Sequence, residues 1–368
     1  MLAASVDNVG MRTATLVAGV LILGTVLWDA FETIVLPRTA MRKLRLARVY
    51  YRISWHGWMT AGRVLRSDAR RERYLAIYGP LSVLGLLTVW AIGLITAFAL
   101  VRWSQDQVPF VDAMYRSATT LFTLGSGEGI PRGAFERVMI VAEAGAGIAL
   151  LTMVFAYLPV IYQSFSRREV RLTLLDAWAG SPPAAAEVLR RVAVAGDLSP
   201  LGDFFKEWEY WCSEVLESHI SYPALAYFRS QHQRQSWISA LTTVLDVSAL
   251  TKVGIDGVSA WRAHLTFAIA RHAAVDLVQV FGLRPDRGVD RLPPDARAAL
   301  RRDLEAAGLK PNDSPDADAE LERLRRSYEP YVAALSNRFL MPLPPWRHAS
   351  GVRFNWHTSP KRDGGPHL

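Results

Sequence analysis

The chain has 368 residues, of which 51% are hydrophobic and 21% are charged. Its mean hydropathy of +0.12 is too high for an ordinary soluble protein and too low for a chain immersed throughout in lipid. This composition excludes collagen, coiled-coil rods and disordered proteins. The one cysteine, Cys212, excludes a disulfide scaffold and suggests a reducing compartment. We therefore expect a chain that is part membrane protein and part water-soluble protein.

Three apolar stretches are long enough to cross a bilayer as helices. Uncharged runs of 16, 28 and 23 residues begin at Thr13, Tyr74 and Ala144, and about 20 residues cross the hydrocarbon of a bilayer. Arg12 alone is a poor start for a secretory signal, and no small-residue cleavage site follows promptly, so the first stretch is expected to be retained. The predicted spans are 13–36, 77–102 and 137–164.

The positive charge of the chain lies between the first two spans. The whole chain carries a net charge of +8, and residues 37–76 alone carry +9. A basic block beside apolar stretches indicates membrane topology rather than nucleic-acid binding, and basic loops stay in the cytoplasm. The N-terminus is therefore predicted outside and the C-terminal half inside. The basic block itself is either an amphipathic helix on the inner leaflet, where anionic lipid would be a partner, or a solvated helix pair.

Two carboxylates lie in the first span. Asp29 and Glu32 are three residues apart, so they share one face of a helix near its cytoplasmic end. Carboxylates at that depth are costly unless they are paired or hydrated. We expect them to pair with Arg38 or another basic residue of the following segment, and a role in gating or proton sensing is the alternative.

The segment between the second and third spans contains the most specific motif. After Pro109, residues 110–115 resemble a short helix start, and Thr123-Leu124-Gly125-Ser126-Gly127 follows it. A short helix followed by Thr-x-Gly-x-Gly between two spans resembles the re-entrant pore loop of the potassium-channel family. In such a filter, backbone carbonyls replace the water shell of an ion, and glycines permit the backbone dihedrals that turn successive carbonyls to one side. A plain extracellular loop is the alternative.

The resemblance implies roles for individual residues over roughly 77–165. Thr123, Leu124, Gly125, Ser126 and Gly127 would line the ion path. Other residues would support the filter or bend the inner helix. Glu128 would stand behind the outer mouth with Tyr115 on the pore helix as its partner, and Gly147, with Gly145 nearby, falls where the family has a hinge, twenty residues after Gly127.

Two departures from the family pattern concern the filter. Ser126 stands where the family usually has an aromatic residue that braces the filter, so a nonselective cation pore is an alternative to a potassium pore. Phe122 replaces a threonine and would change only the packing, because its side chain would face away from the pore. Glu143, on the third span, either faces the cavity or bonds the pore helix near Thr119 or Thr120. Pro159 would kink the inner end of that span, with or without a gating role.

The remaining residues predict an all-helical cytoplasmic domain. Helical periodicity predicts helices over 170–179, 200–219, 236–250, 259–281, 295–307 and 317–340, before a Pro-rich tail expected to be disordered beyond about Trp346. The His and acidic residues of this domain could form a metal or ligand site, but their spacing matches no metallohydrolase motif. Surface or capping roles are the alternative. These residues are Glu214, Glu217, His219, His232, Asp246, His264, His272 and Asp276.

The sequence therefore predicts an all-α membrane protein with three transmembrane helices, a re-entrant pore helix and filter, and a helical cytoplasmic domain. Its predicted domains are 1–36, 37–76, 77–165, 166–341 and 342–368. One pore loop cannot enclose an ion path, and the resemblance implies four copies. We therefore expect a homotetrameric, potassium-conducting cation channel in a prokaryotic plasma membrane, with a cytoplasmic domain that modulates opening. It would be no enzyme and need no cofactor beyond permeant K+ or Na+. A membrane-anchored signalling or enzymatic protein is the alternative of another class.

Overall fold

The chain folds into two helical units. The structure is a computed structural model that describes residues 2–34, 36, 45–65, 67–105, 108–125, 133–232, 234–255 and 260–349. The compact units are Met1–Gln163 and Ser164–Leu368. Within the described ranges every regular element is a helix, and three helices are long and apolar enough to cross a membrane. The predicted fold class, an all-α membrane protein with three spanning helices, is confirmed.

In its described residues, the first unit contains four complete helices and the beginning of a fifth. They are α1 (Leu2–Ile34), α2 (Leu46–Arg63), α3 (Asp68–Gln105), α4 (Phe110–Leu121) and α5 (Ala134–Ala179). The membrane-spanning candidates lie in α1 over Gly10–Ile34 and in the whole of α3 and α5. At about 1.5 Å of rise per residue, α3 is about 57 Å long, well beyond the roughly 30 Å of bilayer hydrocarbon.

Helices α1 and α3 pack closely because glycines face the partner helix. A Cβ added at Gly19 would lie 2.9 Å from the Ala97 carbonyl oxygen, and one added at Gly93 would lie 2.8 Å from a Val26 methyl. The later position on α1 meets the earlier position on α3, so the two helices are antiparallel. Small residues that let backbones approach are the usual means of packing helices in lipid.

The basic segment forms α2, which packs along the N-terminal half of α3. The Trp58 ring stacks on Tyr74 at 4.5 Å, and the Trp55 ring lies 4.8 Å from Tyr78. Earlier on α2, the Tyr50 hydroxyl contacts Gly85. Helices α2 and α3 are therefore antiparallel. Helix α2 thus packs against α3, and the choice between an amphipathic helix on the inner leaflet and a solvated helix pair stays a prediction.

The two carboxylates of the first span have defined partners. Arg45 lies 3.5 Å from a Glu32 oxygen, so the predicted pairing with a basic residue of the 37–76 segment is confirmed for Glu32. Asp29 is 3% exposed and accepts hydrogen bonds from the Trp90 indole at 2.9 Å and from the Ala47 backbone N–H at 3.1 Å. Asp29 thus acts as an N-terminal cap of α2 supplied by another helix. Arg38 lies outside the described residues.

The part of the second unit that the structure describes contains the end of α5 and seven further α-helices. These are α6 (Ala185–Val194), α7 (Pro200–Ser221), α8 (Trp237–Gly254), α9 (Ala260–Val280), α10 (Pro294–Ala306), α11 (Pro315–Arg326) and α12 (Glu329–Phe339). A short 3-10 helix, Pro223–Tyr227, follows α7. Helix α8 is the centre of this unit, because 14 of its 18 residues are buried. Its start is fixed by a capping box between Ser236 and Ser239.

The C-terminal part of this unit differs from the sequence-based expectation in the division of one helix. The single helix predicted over 317–340 is wrong, because α11 ends at Arg326 and α12 begins at Glu329. Pro330 accounts for the break, since proline has no N–H for a helical bond and disfavours helix in the preceding residue. The stretch after α12 packs on the domain, where Trp346 is 3% exposed beneath the Arg291 guanidinium. Residues 350–368 lie outside the described residues.

Candidate ion-conduction site

The pore helix predicted after Pro109 is α4, and it leads directly into the candidate filter. Its end is closed by a turn in which the Leu124 N–H donates to the Thr119 carbonyl at 2.8 Å and the Thr123 N–H donates to the Thr120 carbonyl at 3.0 Å. The C-terminus of a helix carries partial negative charge from its aligned peptide dipoles. The negative end of α4 therefore lies beside Thr123, where it would attract a cation.

The first filter residues have unusual backbone conformations. Thr123 has φ +57° and Gly125 has φ +75°, both in the left-handed region. Glycine adopts this region freely, but a β-branched residue such as threonine is strained there, and such strain clusters at functional sites. Leu124 between them is 76% exposed in the single chain. Ser126, Gly127 and Glu128 lie outside the described residues, so the structure describes the first three of the five predicted filter residues.

Glu143 lies behind the pore helix. It is 0% exposed, so the alternative in which it faces a cavity is wrong. One of its oxygens accepts a hydrogen bond from the Ser117 hydroxyl, and the other accepts one from Arg102 Nη2 at 2.6 Å. Its contact with the pore helix is made through Ser117. The Thr119 and Thr120 hydroxyls donate instead to carbonyls of their own helix, including that of Arg116.

The two candidate hinge glycines have different surroundings. A Cβ added at Gly147 would overlap the Leu121 carbonyl oxygen at the end of α4, whereas one added at Gly145 would have no neighbour within 4 Å. The structure therefore gives Gly147 a packing reason to be glycine, and its role as a hinge stays a prediction. Pro159 lies inside α5, and the helix continues on both sides of it.

Two aromatic residues of this segment, the candidate filter support Tyr115 and the departure Phe122, lie on the surface of the single chain. Tyr115 is 64% exposed, and Phe122 is 55% exposed. The predicted pairing of Tyr115 with Glu128 falls on residues outside the described ranges and stays a prediction.

Comparison with known proteins bears on this same segment. Residues 85–163 match the family model Ion_trans_2, which is described as an ion channel. This segment of the chain is therefore similar to the ion-channel family. The match confirms the resemblance to the potassium-channel family and covers the second half of α3, the pore helix and the membrane part of α5. No curated protein and no solved structure matches the chain.

Some of the candidate ligand residues of the second unit have side-chain partners. Asp246 is paired with Arg291 at 2.7 Å, and His272 pairs with Asp276 at 3.3 Å. His219 is fully buried against the Trp237 ring, and this burial, together with the Arg168 guanidinium, lowers the pKa of His219 well below its ordinary value. Within the described part of the chain, no three His, Cys, Asp or Glu side chains are grouped as metal ligands would be.

Sequence reasoning missed two members of the ion-channel domain's buried network, Arg102 and Ser117. Arg102 follows the last residue of the uncharged run in α3, and Ser117 lies between Arg116 and the two threonines of the pore helix. A buried carboxylate at membrane depth requires a partner. Asking which basic residue ends the neighbouring span would have pointed to Arg102, whereas Ser117 has no distinguishing signal among the hydroxyl residues of that helix.

Proposed function

We propose that this chain forms a homotetrameric cation channel whose ion path is lined by Thr123, Leu124, Gly125, Ser126 and Gly127. Potassium is the expected ion. A pore that passes both Na+ and K+ is the alternative, because Ser126 cannot fill the volume of the aromatic residue usual in the family. The permeant ion is the only bound group required, and the chain has no enzymatic role in this proposal.

The backbone at the end of α4 is the observation on which the proposal depends. The helix ends at Leu121, and within four residues the chain twice adopts positive φ, at Thr123 and at Gly125. Non-helical backbone at membrane depth is tolerated only where it is buried in protein or lines a water-filled cavity. The exposed Leu124 beside it supports a path shared with other copies of the chain.

The surface of α5 supports assembly. Of its most apolar stretch only 6% is buried in the single chain, although this helix follows directly after the filter segment. One pore loop cannot surround an ion, and closed rotational symmetry with four copies solves this requirement. Other copies would cover much of the exposed surface of α5, and the ion path would occupy the rest.

Orientation and regulation follow from the charge pattern and from helix α5. The basic 37–76 segment places the N-terminus outside and the second unit in the cytoplasm of a prokaryotic plasma membrane. Helix α5 continues without a break from its apolar part to Ala179, so a movement of its last turns would reach the inner helix through the backbone. The second unit would in this way modulate opening. Anionic lipid is the expected partner of the basic segment.

Ion flux into liposomes under opposing K+ and Na+ gradients tests the proposal. We expect K+ flux from the wild type and none from Gly125→Ala, because a side chain at φ +75° is strained. Gly133→Ala is the matched control, since a Cβ there meets no atom within 4 Å. Flux of both ions that Ser126→Tyr narrows to K+ would establish the nonselective alternative.

Two further measurements test assembly and lipid. Cross-linking should give a tetramer, and a monomer that conducts nothing under any condition would contradict the proposal. Vesicles with and without anionic lipid test the lipid partner, and equal flux in both would remove anionic lipid from the proposal without affecting the filter.

A further inference from the structure

The carboxylate of Glu143 joins three helices of one subunit. Its two oxygens are used by different partners, one on the pore helix through Ser117 and one on α3 through Arg102. The Glu143 side chain is fully buried, and that of Arg102 is 10% exposed. A charged pair at this depth repays its desolvation only with good geometry and with further hydrogen bonds, and this network supplies both.

A second contact fixes the same two helices one turn further along. Gly147 lies against the carbonyl of Leu121, four residues after the pair formed by Glu143 and Ser117 on both helices. The spacing is equal on the two helices, so α4 and α5 lie side by side and run in the same direction over this turn. The pore helix thus contacts α5 at two successive turns, and the second contact, at Leu121, is two residues before Thr123.

We infer that Arg102, Glu143 and Ser117 form a clamp that sets the position of the pore helix and, through it, the spacing of the filter carbonyls. This inference rests on the proposed function. Arg102 and Glu143 are positioning residues, because neither reaches the candidate filter. Their ion pair joins α3 to α5, and the hydroxyl of Ser117 attaches α4 to that pair.

Other roles for a buried ion pair fit these contacts less well. A pair that only joined α3 to α5 would need one oxygen of Glu143, but the second oxygen accepts a hydrogen bond from the pore helix. An ion-attracting carboxylate would need access to water, and Glu143 has none in the single chain. The pore helix also contains Thr119 and Thr120, whose hydroxyls bond only their own helix, so the connection from α4 to α5 depends on Ser117 alone among these three.

Ser117→Ala tests the clamp with little risk to the fold, because it removes the arm to the pore helix and leaves the ion pair between Arg102 and Glu143. Ser104→Ala is the matched control, since Ser104 is also buried but donates to the Val101 carbonyl of its own helix. Ser117→Cys keeps the size of the side chain and a weak donor. All variants are made in the full chain. Only variants whose tetramers melt in Na+ at the wild-type temperature are compared, so that a general loss of stability is excluded.

Two quantities are measured. The first, called the K+ increment, is the melting temperature of the tetramer in K+ minus that in Na+, both in detergent. The second is the ratio of K+ flux to Na+ flux in liposomes. An ion that binds only the folded filter raises its stability, and this readout needs no open gate. We expect Ser117→Ala to reduce the flux ratio about tenfold and to remove most of the K+ increment, with Ser117→Cys between it and the wild type and Ser104→Ala unchanged.

The outcomes separate the clamp from the proposed function. A wild type with a K+ increment or K+ flux, and a Ser117→Ala variant that matches it in both, would overturn the clamp and leave the channel standing. A wild type with neither readout would overturn the proposed function and the clamp with it. Equal changes in Ser117→Ala and Ser104→Ala would also count against the clamp, because they would show a general effect of losing a buried hydroxyl.

Discussion

Helices α3 and α5 are similarly apolar, yet the single chain covers them very differently. Half of the most apolar stretch of α3 is buried, compared with 6% of that of α5. Helix α3 contacts α1, α2 and α4, whereas the membrane part of α5 touches protein at a few positions such as Glu143, Gly147 and Tyr157. Hydropathy therefore indicates which helices enter a membrane, and burial indicates which of them still lack a partner.

The contact between Gly147 and Leu121 is the point where a small change should have the largest effect. We expect Gly147→Ala to abolish K+ flux, because its Cβ would overlap the Leu121 carbonyl and displace either the pore helix or α5. Gly145→Ala is the control and should keep full flux, with a helix more stable by about 0.5–1 kcal/mol. Liposome flux and tetramer melting measure both variants, and wild-type flux from Gly147→Ala would show that the two helices are not in fixed contact.

The packing of α3 is tested at the glycine that faces it from α1. Gly19→Ala would place a Cβ 2.9 Å from the Ala97 carbonyl oxygen, which is backbone and cannot rotate away. Overpacking of this kind costs about 1–3 kcal/mol, so the free energy of unfolding in detergent should fall by that amount. Gly24→Ala, on the same helix with no neighbour within 4 Å, should not lower it. Equal stability of the two variants would contradict the close approach of α1 and α3.

The exposed face of α5 can be compared directly with the exposed face of α3. Leu151 on α5 is 55% exposed and Leu84 on α3 is 52% exposed, so the two leucines are alike in the single chain. We expect Leu151→Ala to weaken the tetramer by about 1–2 kcal/mol per subunit through lost packing, and Leu84→Ala to leave association unchanged, since lipid replaces the lost contacts. Dissociation of the tetramer at increasing detergent concentration measures both variants. Equal dissociation of Leu151→Ala and Leu84→Ala would mean that lipid covers both helices.

One face of the last turns of α5 is buried within the second unit, and His219, which lies against Arg168 on that face, tests this burial through pH. The lowered pKa of His219 keeps it neutral in the folded unit, while the unfolded chain takes up a proton below about pH 6.5. Stability should therefore be complete above that pH and fall as the pH drops, by at most about 1.4 kcal/mol per pH unit.

Melting of the full chain at pH 7.5 and 5.5 measures this slope. The His219→Gln variant should lose the part of the pH dependence that one proton contributes. A His219→Gln variant with the wild-type slope would show that His219 titrates normally in the folded protein.

Much of this architecture could be predicted because it depends on local signals. The uncharged runs located three spans, proline and glycine located most helix ends of the second unit, and the Thr-x-Gly-x-Gly motif indicated the channel domain. The single helix predicted over 317–340 was wrong because the hydrophobic periodicity continues through the break between Arg326 and Glu329, just before Pro330. Hydrophobic periodicity also gave no sign that Trp346 packs back on the domain.

The partners of buried charges could not be predicted, because they depend on which helix faces meet. One of the two alternatives for Glu143 was a bond to the pore helix near Thr119 or Thr120, and Glu143 reaches Ser117, two or three residues away on the same helix. A rotation of α4 by a fraction of a turn decides between these residues, and nothing in the sequence fixes it. The glycines behave in the same way, since Gly145 and Gly147 differ only in what lies opposite them.

The cap that Asp29 supplies to α2 has a consequence for biogenesis. The carboxylate belongs to α1, the indole that orients it belongs to α3, and the N–H that it satisfies opens α2 between them in the chain. During synthesis, Ala47 is made before Trp90, so α2 would be complete while the indole is still missing. We therefore expect α2 to reach its final position only after the second span has been inserted and has paired with the first.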